Sequence, residues 1–341
     1  MNIQEAMARY LPLIEGALRE ALQTPHAHLA AHHGMMHYHL GWVDERFQPK
    51  PARGGKRLRP LLCLLACEAA GGDVHDALPA AAAIEILHNF SLVHDDIEDN
   101  SPTRRGRPAV WALWGVPQAV NVGDALFALA HRTLGRLWER DMPAERVLAA
   151  ILAFDEACVA LTEGQYLDMS FEERSDVTVD EYLRMIQGKT AALMGIATQL
   201  GALLAGASQE IIIHFHRFGE KLGVAFQIED DILGIWGDEA LIGKSAASDI
   251  LEKKKTLPVV YALRSEVGER LRAIYRKPEL RAEDLPSVLA LLEEVEARQY
   301  AERMAEEAHR QALEALAATG LSAKALLPLR EIAASLRGRR R

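Results

Sequence analysis

Length, composition and charge already narrow the class of protein. The chain has 341 residues, enough for one large domain or two ordinary ones. Hydrophobic residues make up 49% and charged residues 26%, which excludes disordered and collagen-like classes, and an aromatic content of 6% favours packed helices over sheets. The formal charge of −9 argues against nucleic acid as the main partner and fits metal cations better.

Cysteine usage and apolar runs bear on the compartment. Three cysteines cannot form a full disulfide framework, so we expect a reducing cytoplasm. The first twenty residues carry Glu5, Glu15 and Glu20 among their apolar side chains, a pattern typical neither of a signal peptide nor of a membrane anchor. Apolar runs elsewhere are too short to span a bilayer, so we expect no stable membrane insertion.

Apolar residues at helical spacing predict an all-α chain. The first long buried helix is expected over Ala77–Asp99, where Ile84, Leu87, Ser91 and Asp95 recur on one face. Further helices are predicted at Gly123–Glu139, Ala144–Asp168, Thr178–Leu204, Glu210–Trp236 and Leu285–Ala317. No stretch alternates between apolar and polar residues for long enough to predict a strand.

The region 1–56 is expected to be an N-terminal helix followed by a His-rich connection from Pro25 to Lys56. Its histidines lack a cysteine or carboxylate partner at metal-site spacing, which favours a surface or dimer-facing segment over a zinc site. The histidines in question are His26, His28, His32, His33, His37 and His39. No linker divides the rest, so we predict one helical domain over 1–341, with 337–341 as a disordered basic tail.

Three aspartates close the helix predicted over Ala77–Asp99. Asp95 and Asp99 lie one turn apart on the same face, and Asp96 lies about 100° round the helix. Carboxylates at a helix C-terminus repel one another and oppose the helix dipole unless a cation neutralises them. Oxygen ligands without histidine or cysteine suit Mg²⁺, which usually keeps waters and bridges to phosphate, so a magnesium site is predicted, with a solvated acidic helix end as the alternative.

Basic motifs flank this acidic cluster. Arg104 and Arg105 follow it, and the stretch from Gly54 and Gly55 through Lys56 and Arg59 to Pro60 precedes it. Guanidinium and ammonium groups bind phosphate oxygens, and glycines let the backbone approach a bulky anion, so a diphosphate pocket is predicted. A nucleotide-binding loop is not expected, because the Walker A spacing and a preceding strand are missing.

These motifs, in this order, resemble the trans-isoprenyl diphosphate synthases, the polyprenyl synthetase family, and most of all its geranylgeranyl diphosphate synthases. DDxxD corresponds to Asp95, Asp96 and Asp99, and GGKxxRP to Gly54–Pro60. Gly188-Lys189-Thr190 is similar to the family's Lys-Thr pair, and Phe226–Asp231, with Gly243-Lys244 and Lys253, to its second aspartate-rich region. The resemblance implies a bundle of long antiparallel helices around a deep central cavity, and a homodimer.

The resemblance also implies the roles of the site residues. The diphosphate of isopentenyl diphosphate would be held by Lys56, Arg59, His88 and Arg105, and that of the allylic substrate by Arg104, Lys189, Lys244 and Lys253. The allylic cation would be stabilised by Thr190, Gln227 and the carbonyl of Lys189. Metal, expected as three Mg²⁺ ions, would be bound by Asp95, Asp99, Asp230 and Asp231.

One position departs from the family pattern. Where the second acidic motif often ends in Asp, this chain has Gly234. We therefore expect Asp230, with Asp231 beside it, to carry the metal contact on that side. Asp238 and Asp249 are possible substitutes, although a loop role for Asp238 is the simpler interpretation.

Product length is expected to depend on the helix below Asp95. On an ideal helix Leu87 and Ser91 lie on the face of Asp95, whereas Phe90 lies on the far side. The family gives weight to the fifth residue before the motif, which is Phe90, and an aromatic residue there resembles the C20 type. The prediction follows the family, with core packing as the alternative for Phe90.

Other functions remain open. The product could be farnesyl (C15) or a longer (C25) diphosphate, and the scaffold also suits a terpene cyclase or a non-catalytic subunit. A cyclase has no use for the second diphosphate site, and a non-catalytic subunit should have lost site residues. Gln165 and Asp168 resemble a further family motif that orients metal-bound water, with hydrogen bonding between helices as the alternative. Asn121, Gly123 and Asp124 are predicted to cap a helix.

Overall fold

Helices make up nearly all the regular structure that the computed structural model describes, which comprises residues 2–24, 26–50, 55–237 and 247–337. In the first part of the chain these are α1 (Ile3–Ala21), α2 (Ala30–His39), α3 (Leu58–Ala69), α4 (Val74–Glu98), α5 (Val110–Trp114), α6 (Val116–Gly135) and α7 (Ala144–Glu172). A hairpin of two-residue strands, β1 (Thr103–Arg104) and β2 (Arg107–Pro108), follows α4. The predicted all-α class is confirmed.

The second part of the chain continues in the same way. It contains α8 (Val179–Ile186), a π-helical turn (Gln187–Ala191), α9 (Ala192–Leu204), α10 (Gln209–Trp236), α11 (Ser248–Leu251), α12 (Leu257–Leu263), α13 (Gly268–Tyr275), α14 (Leu285–Glu294), α15 (Ala297–Ala318) and α16 (Ala323–Leu336). Short 3₁₀ helices lie at Ala27–Leu29, Arg136–Arg140 and Ala282–Asp284.

Local sequence explains where the two central site helices begin. Asp73 precedes α4, and its carboxylate accepts the backbone N–H of His75 at 2.9 Å, so the helix starts three residues before the predicted Ala77. Thr178 and Glu181 form a reciprocal capping box at the start of α8. The alanines at 80–83 are fully buried, and their small side chains allow neighbouring helices to approach closely.

Three sequence predictions about elements were wrong. The region predicted as a connection contains α2, whose His33 and His37 both hydrogen-bond the Leu22 carbonyl oxygen, at 2.8 and 3.2 Å. The single helix predicted over Leu285–Ala317 breaks before Glu296, which adopts a left-handed conformation with φ of 52°. The predicted cap at 121–124 lies inside α6, because that helix already begins at Val116.

Contacts divide the chain into two compact units. The first comprises Met1–Phe154, Ala197–Ile212 and Leu321–Pro328, and the second comprises Asp155–Ile196, Ile213–Gly320 and Leu329–Arg341. The first unit contains the first acidic cluster and its flanking basic motifs. The second contains the Lys-Thr pair and the second acidic region. Among the described residues, no helix combines the length and apolarity needed to cross a bilayer.

Candidate active site

The C-terminal end of α4 presents the first acidic cluster. Asp95 lies in the last turn and is partly buried, whereas Asp99 is the C-cap residue and is exposed. The backbone N–H of Asp99 donates to the carbonyl of Asp95 at 2.8 Å, which fixes the two residues one turn apart. Two oxygen donors at the negative pole of a helix are suited to a hard divalent cation.

Asp96, unlike this pair, is fully buried, with 1% of its surface exposed. Its Oδ1 accepts Nε of Arg104 at 2.8 Å and Nη2 at 2.6 Å, while burial raises the pKa of its carboxyl group. The structure therefore shows Asp96 holding Arg104. The sequence prediction had grouped Asp96 with the catalytic carboxylates.

The β1–β2 hairpin carries Arg105 to the glycine-rich basic motif. Its turn places Arg105 and Gly106 at positive φ, 54° and 71°, as a two-residue hairpin turn of type I′ requires. The Nη2 atom of Arg105 lies only 3.0 Å from the point where a Cβ on Gly55 would be. Gly55 thus leaves room for the guanidinium group, and the two basic motifs predicted to bind one diphosphate meet in the first unit.

Arg57, within the glycine-rich motif, fixes this segment to α1 and α4 through ion pairs. This residue adopts a left-handed conformation with φ of 48° immediately before α3, and its side chain is buried. It donates to Glu85 on α4 at 2.8 Å and lies 3.3 Å from Glu15 on α1. The buried ion pair fixes the start of α3, which leaves Lys56 exposed and Arg59 partly buried on either side of it.

A histidine that sequence reasoning did not select faces the same cations. His39, on α2, is 8% exposed, and its Nε2 is buried without a hydrogen-bond partner among the described residues. Burial, together with the positive charges of Arg105 and Arg104, lowers its pKa to about 3. Burial and the charges of Arg59 and Arg105 likewise lower the pKa of His88. Burial, together with the arginine charges, therefore keeps both imidazoles neutral and able to donate to an anion.

His39 should make stability depend on pH. The unfolded chain takes up a proton at a histidine pKa of about 6.5, whereas the folded chain does so only near 3, so stability is lost as pH falls below about 6.5. Four arginines raise the cost of that proton in the folded chain: Arg57, Arg104, Arg105 and Arg107. We expect His39→Gln to reduce the fall in the free energy of unfolding between pH 7 and pH 5 by about 2 kcal/mol.

Urea unfolding at the two pH values measures this effect. His75→Gln is the control, because His75 is an exposed histidine in the first turn of α4. Its pH dependence should equal that of the parent chain. If His39→Gln also matched the parent, His39 would not be held neutral by its surroundings.

In the second unit, hydrogen bonds connect the Lys-Thr pair to the second acidic region. Thr190 Oγ1 donates to Gln227 Oε1 at 2.8 Å, and Gln227 Nε2 donates to Asp231 Oδ1 at 3.0 Å. Asp231 Oδ2 accepts the Tyr182 hydroxyl at 2.5 Å and the Leu257 backbone N–H at 2.8 Å. This chain of bonds orients the Gln227 carboxamide, and Tyr182 gave no signal in the sequence.

Asp230 and its neighbour Asp231 therefore occupy different environments. Asp230 is partly buried on α10. Asp231 is 5% exposed and engages both oxygens with protein donors, and burial raises its pKa to about 7. Its contacts suit the positioning of Gln227 better than metal binding, so Asp230 is the better metal ligand of this pair.

A π-helical turn carries Lys189 and Thr190. Single π turns widen the backbone ring and are frequent at functional sites. Glycines set its distance from α7, because a Cβ on Gly188 would lie 2.5 Å from the Ala160 carbonyl oxygen and one on Gly164 would lie 2.1 Å from the Lys189 nitrogen. Lys189 Nζ binds Asp168 Oδ2 at 2.5 Å, so the Asp168 of the predicted further motif reaches the Lys-Thr pair.

Two predicted lysines are not brought to this group by the described contacts. Lys253 Nζ donates to the carbonyl oxygens of Lys277 and Pro278, the latter at 3.0 Å. Lys244 lies outside the described residues, as do Gly54, Gly243 and Asp238. Of the predicted basic tail, only Arg337 is described.

The residues predicted to set product length lie on α4 in the two turns before the acidic cluster. Leu87 is fully buried, and Ser91 Oγ donates to the His88 carbonyl at 2.9 Å. The Phe90 ring contacts those of His94 and Phe127, with centroids 4.9 and 5.1 Å apart. A row of rings continues from Phe127 through His131 to Phe154. Phe90 and the neighbouring His94 thus form one end of an aromatic wall between α4, α6 and α7.

The donor atoms of the acidic cluster indicate which kind of metal ion it would suit. In the parts of the chain that the structure describes, no three histidine, cysteine, aspartate or glutamate side chains form a metal-holding group. The pair Asp95 and Asp99 offers oxygen donors only. A cation such as Mg²⁺, which takes one or two carboxylates and completes its shell with waters and phosphate oxygens, fits this donor set.

Comparison with known proteins gives one consistent result. A profile of the polyprenyl synthetase family matches residues 41–292. A geranylgeranyl diphosphate synthase of Mycobacterium tuberculosis is 42% identical over 317 residues, covering 92% of this chain and 87% of that protein. A (2E,6E)-farnesyl diphosphate synthase of Mycobacterium bovis is 45% identical over 263 residues, 76% of this chain and 71% of the other.

Solved structures agree with the sequence matches. A polyprenyl synthetase from Streptomyces coelicolor aligns with a TM-score of 0.89 at 35% identity, covering 98% of this chain and 99% of that one. A geranylgeranyl pyrophosphate synthetase from Pyrococcus horikoshii aligns with a TM-score of 0.86 at 34% identity, covering 98% of both chains. The similarity extends over nearly the whole chain.

Proposed function

Since the chain belongs to the polyprenyl synthetase family of prenyltransferases, we propose that it condenses isopentenyl diphosphate with an allylic diphosphate to make geranylgeranyl diphosphate (C20). The family expected from the motifs is confirmed, and the specific substrates and product are the proposal. The observation that carries the proposal is the close approach of the Arg105 guanidinium group to Gly55, together with His88, which the same arginine helps to keep neutral. This basic group supports a diphosphate site separate from the acidic cluster.

In this proposal that basic group binds isopentenyl diphosphate. Lys56 and Arg59 flank the buried Arg57 and would contribute charge, and Arg105 would add a planar pair of donors. His88 and His39, held neutral, would donate hydrogen bonds without adding charge to an already cationic group. In the proposed reaction, the diphosphate bound here would be the one retained in the product.

The allylic diphosphate is assigned to the acidic residues and the remaining cations. Asp95, Asp99 and Asp230 would hold Mg²⁺, expected as three ions, and when bound this metal neutralises the negative charge of the leaving diphosphate. Direct binding of that diphosphate is assigned to Arg104, Lys189 and Lys244, and to Lys253 once its ammonium group leaves the Lys277 and Pro278 carbonyl oxygens. Asp96 would keep Arg104 in place, since its buried carboxylate accepts hydrogen bonds from the partly exposed Arg104 guanidinium group.

The allylic cation needs dipoles and no competing nucleophile. Thr190 and Gln227 form a hydrogen-bonded pair in which Asp231 orients the carboxamide, so both side chains are preorganised. The π-helical turn also places the Lys189 carbonyl at a point where helical bonding is irregular. No basic side chain is assigned to the final proton, which the departing diphosphate would accept.

Product length is the finer part of the proposal. Among the relatives, enzymes named geranylgeranyl and farnesyl diphosphate synthase have similar identity, so the names support both C20 and C15. Phe90 favours C20, because its ring closes the aromatic wall five residues before Asp95. Farnesyl and C25 diphosphates are the alternatives that the experiment must separate.

The test incubates the purified protein with labelled isopentenyl diphosphate and each allylic primer of five, ten or fifteen carbons, with Mg²⁺ and with EDTA. Chromatography of the dephosphorylated products should show a labelled C20 alcohol, and EDTA should abolish it. If none of the primers were elongated, the proposal would be refuted. A cyclic hydrocarbon would identify a terpene cyclase, and activity only with an added second protein would identify a regulatory subunit.

A homodimer in the cytoplasm is part of the same proposal. On α7, Leu148, Leu152, Val159 and Tyr166 are 55–71% exposed and lie within about 40° of one another around the helix. An apolar stripe of this length on a single chain is typical of an interface with a partner.

Leu152→Asp should therefore convert dimer to monomer, because it places a charge in the middle of the apolar stripe. Light scattering after gel filtration measures the mass. Leu327→Asp is the control, since Leu327 is an exposed leucine, 40% accessible, on α16. A parent chain that elutes as a monomer at micromolar concentration would refute the proposed dimer.

A further inference from the structure

Gly234 occupies the place where the second acidic motif of the family often has its last aspartate. It lies on α10 one turn after Asp230, so a carboxylate there would share the face of Asp230. The structure leaves no room for one. A Cβ on Gly234 would lie 1.9 Å from Asp249 Oδ2 and 2.5 Å from its Cγ, far closer than real contacts allow.

The group that fills this space is itself a carboxylate. Asp249 lies on α11, and its Oδ2 occupies the volume that the first side-chain atom of residue 234 would take. The absent aspartate of α10 is thus matched in space by an aspartate from another element. A purely steric reason for glycine would be served equally well by an apolar neighbour, and here the neighbour carries the missing chemical group.

Packing holds Asp249 in this position. Ile250, the next residue, is fully buried in the same apolar cluster as Ile235 of α10, so the short helix is fastened against the end of the long one. The backbone N–H of Lys254 donates to the Asp249 carbonyl at 2.9 Å, and Lys254 Nζ lies 3.9 Å from the Asp249 carboxylate. The side chain is 13% exposed, which keeps it from free rotation in solvent.

Electrostatics supports a shared location for these acidic groups. Asp230 and Asp231 lie near the C-terminal end of α10, and the Asp249 carboxylate reaches the same end of that helix at Gly234. Negative charge therefore accumulates at the C-terminal end of α10, where the helix dipole also disfavours it. A divalent cation would relieve both effects.

We propose that Asp249 supplies the carboxylate that the motif lacks at Gly234, so that Asp230 and Asp249 together bind the divalent cation on this side of the allylic diphosphate. In the first motif, Asp95 and Asp99 are one helical turn apart on one helix. In the second motif, Asp230 lies on α10, and Asp249 on α11 places its carboxylate where a side chain at position 234, one turn after Asp230, would begin. The inference rests on the proposed function, because that function supplies the diphosphate the cation would bridge.

The test measures Mn²⁺ binding in the presence of inorganic pyrophosphate, by electron paramagnetic resonance of the free ion. Asp249→Asn keeps the shape of the side chain and removes its charge. It should weaken the binding of one Mn²⁺ ion by about tenfold or more without lowering the melting temperature of the metal-free protein. Glu252→Gln is the matched control, since Glu252 also pairs with Lys254, at 2.9 Å, but its side chain is 52% exposed, against 13% for Asp249.

Restoring the family residue gives the sharper result. Gly234→Asp alone should lower the melting temperature by several degrees and weaken Mn²⁺ binding, because the new side chain at position 234 collides with Asp249. The double variant Gly234→Asp/Asp249→Ala moves the carboxylate onto α10 and opens the space. We expect its Mn²⁺ affinity to return to within about threefold of the parent chain.

Two results separate this inference from the proposed function. If Asp249→Asn bound Mn²⁺ and pyrophosphate as tightly as the parent, the inference would be overturned, even when the parent elongates allylic primers. If the parent elongated no primer, the proposed function would fail. The Mn²⁺ titrations of the single and double variants would still decide whether Asp249 is a metal ligand.

Discussion

Asp95→Ala should lower the turnover number by about three orders of magnitude or more while the protein remains folded. Asp95 presents an oxygen donor at the end of α4, and ionisation of the allylic substrate depends on neutralising the diphosphate that leaves. A loss of about 4 kcal/mol of transition-state stabilisation corresponds to a thousandfold loss in rate. Steady-state elongation assays with saturating Mg²⁺ measure the effect.

Stability should move little in this variant, and in the favourable direction. A carboxylate at a helix C-terminus opposes the dipole, so its removal contributes about 0.3–1 kcal/mol of stability. Glu98→Ala is the control, because Glu98 is an exposed acid at the same helix end. It removes the same charge and should keep activity within about threefold. Full activity of Asp95→Ala would refute the metal assignment for Asp95.

Phe90→Ala should lengthen the product beyond C20. The Phe90 ring packs on Phe127 and His94, and its removal opens the end of the aromatic wall to further isoprene units. Deleting a partly buried ring should also destabilise the protein by about 2–3 kcal/mol. The product distribution is read from chromatography of the dephosphorylated alcohols after overnight incubation.

Phe90→Leu separates volume from aromatic chemistry. Leucine keeps most of the apolar volume at this position, so the C20 product should persist with a small longer fraction. An unchanged product distribution in Phe90→Ala would show that Phe90 is a packing residue. The length limit would then lie elsewhere along α4.

The sequence predicted well what depends on local periodicity and motif order. The helix that carries Asp95 was expected over Ala77–Asp99 and runs from Val74 to Glu98. Apolar spacing identifies such a helix because one whole face is buried. Asp73 caps the start of α4, and the left-handed Glu296 separates α14 from α15. Neither residue interrupts the apolar pattern, so the pattern alone did not predict these boundaries.

Features that depend on distant partners could not be predicted. His39 looked like one histidine among many, and its role follows from arginines that arrive on the β1–β2 hairpin and near α3. Tyr182 became visible only when α8 and α10 placed its hydroxyl group on Asp231. A single sequence does not record such long-range pairings.

The second acidic motif combines both cases. The sequence identified Gly234 as a departure and named Asp249 among two possible substitutes. It could not choose between them, because the choice depends on α11 packing against α10 through Ile250 and Ile235. The distance between Asp249 and the Cβ position of Gly234 makes Asp249 the candidate, while Asp238 lies outside the described residues.

The central claim is that carboxylates of the two acidic regions hold a diphosphate through divalent cations. Crystals grown with Mn²⁺ and inorganic pyrophosphate, measured at the manganese absorption edge, test it most directly. Anomalous peaks within coordination distance of Asp95, Asp99 and Asp230, each also touching a pyrophosphate oxygen, are the predicted result. Pyrophosphate bound by arginine and lysine side chains with no anomalous peak at these carboxylates would contradict the account.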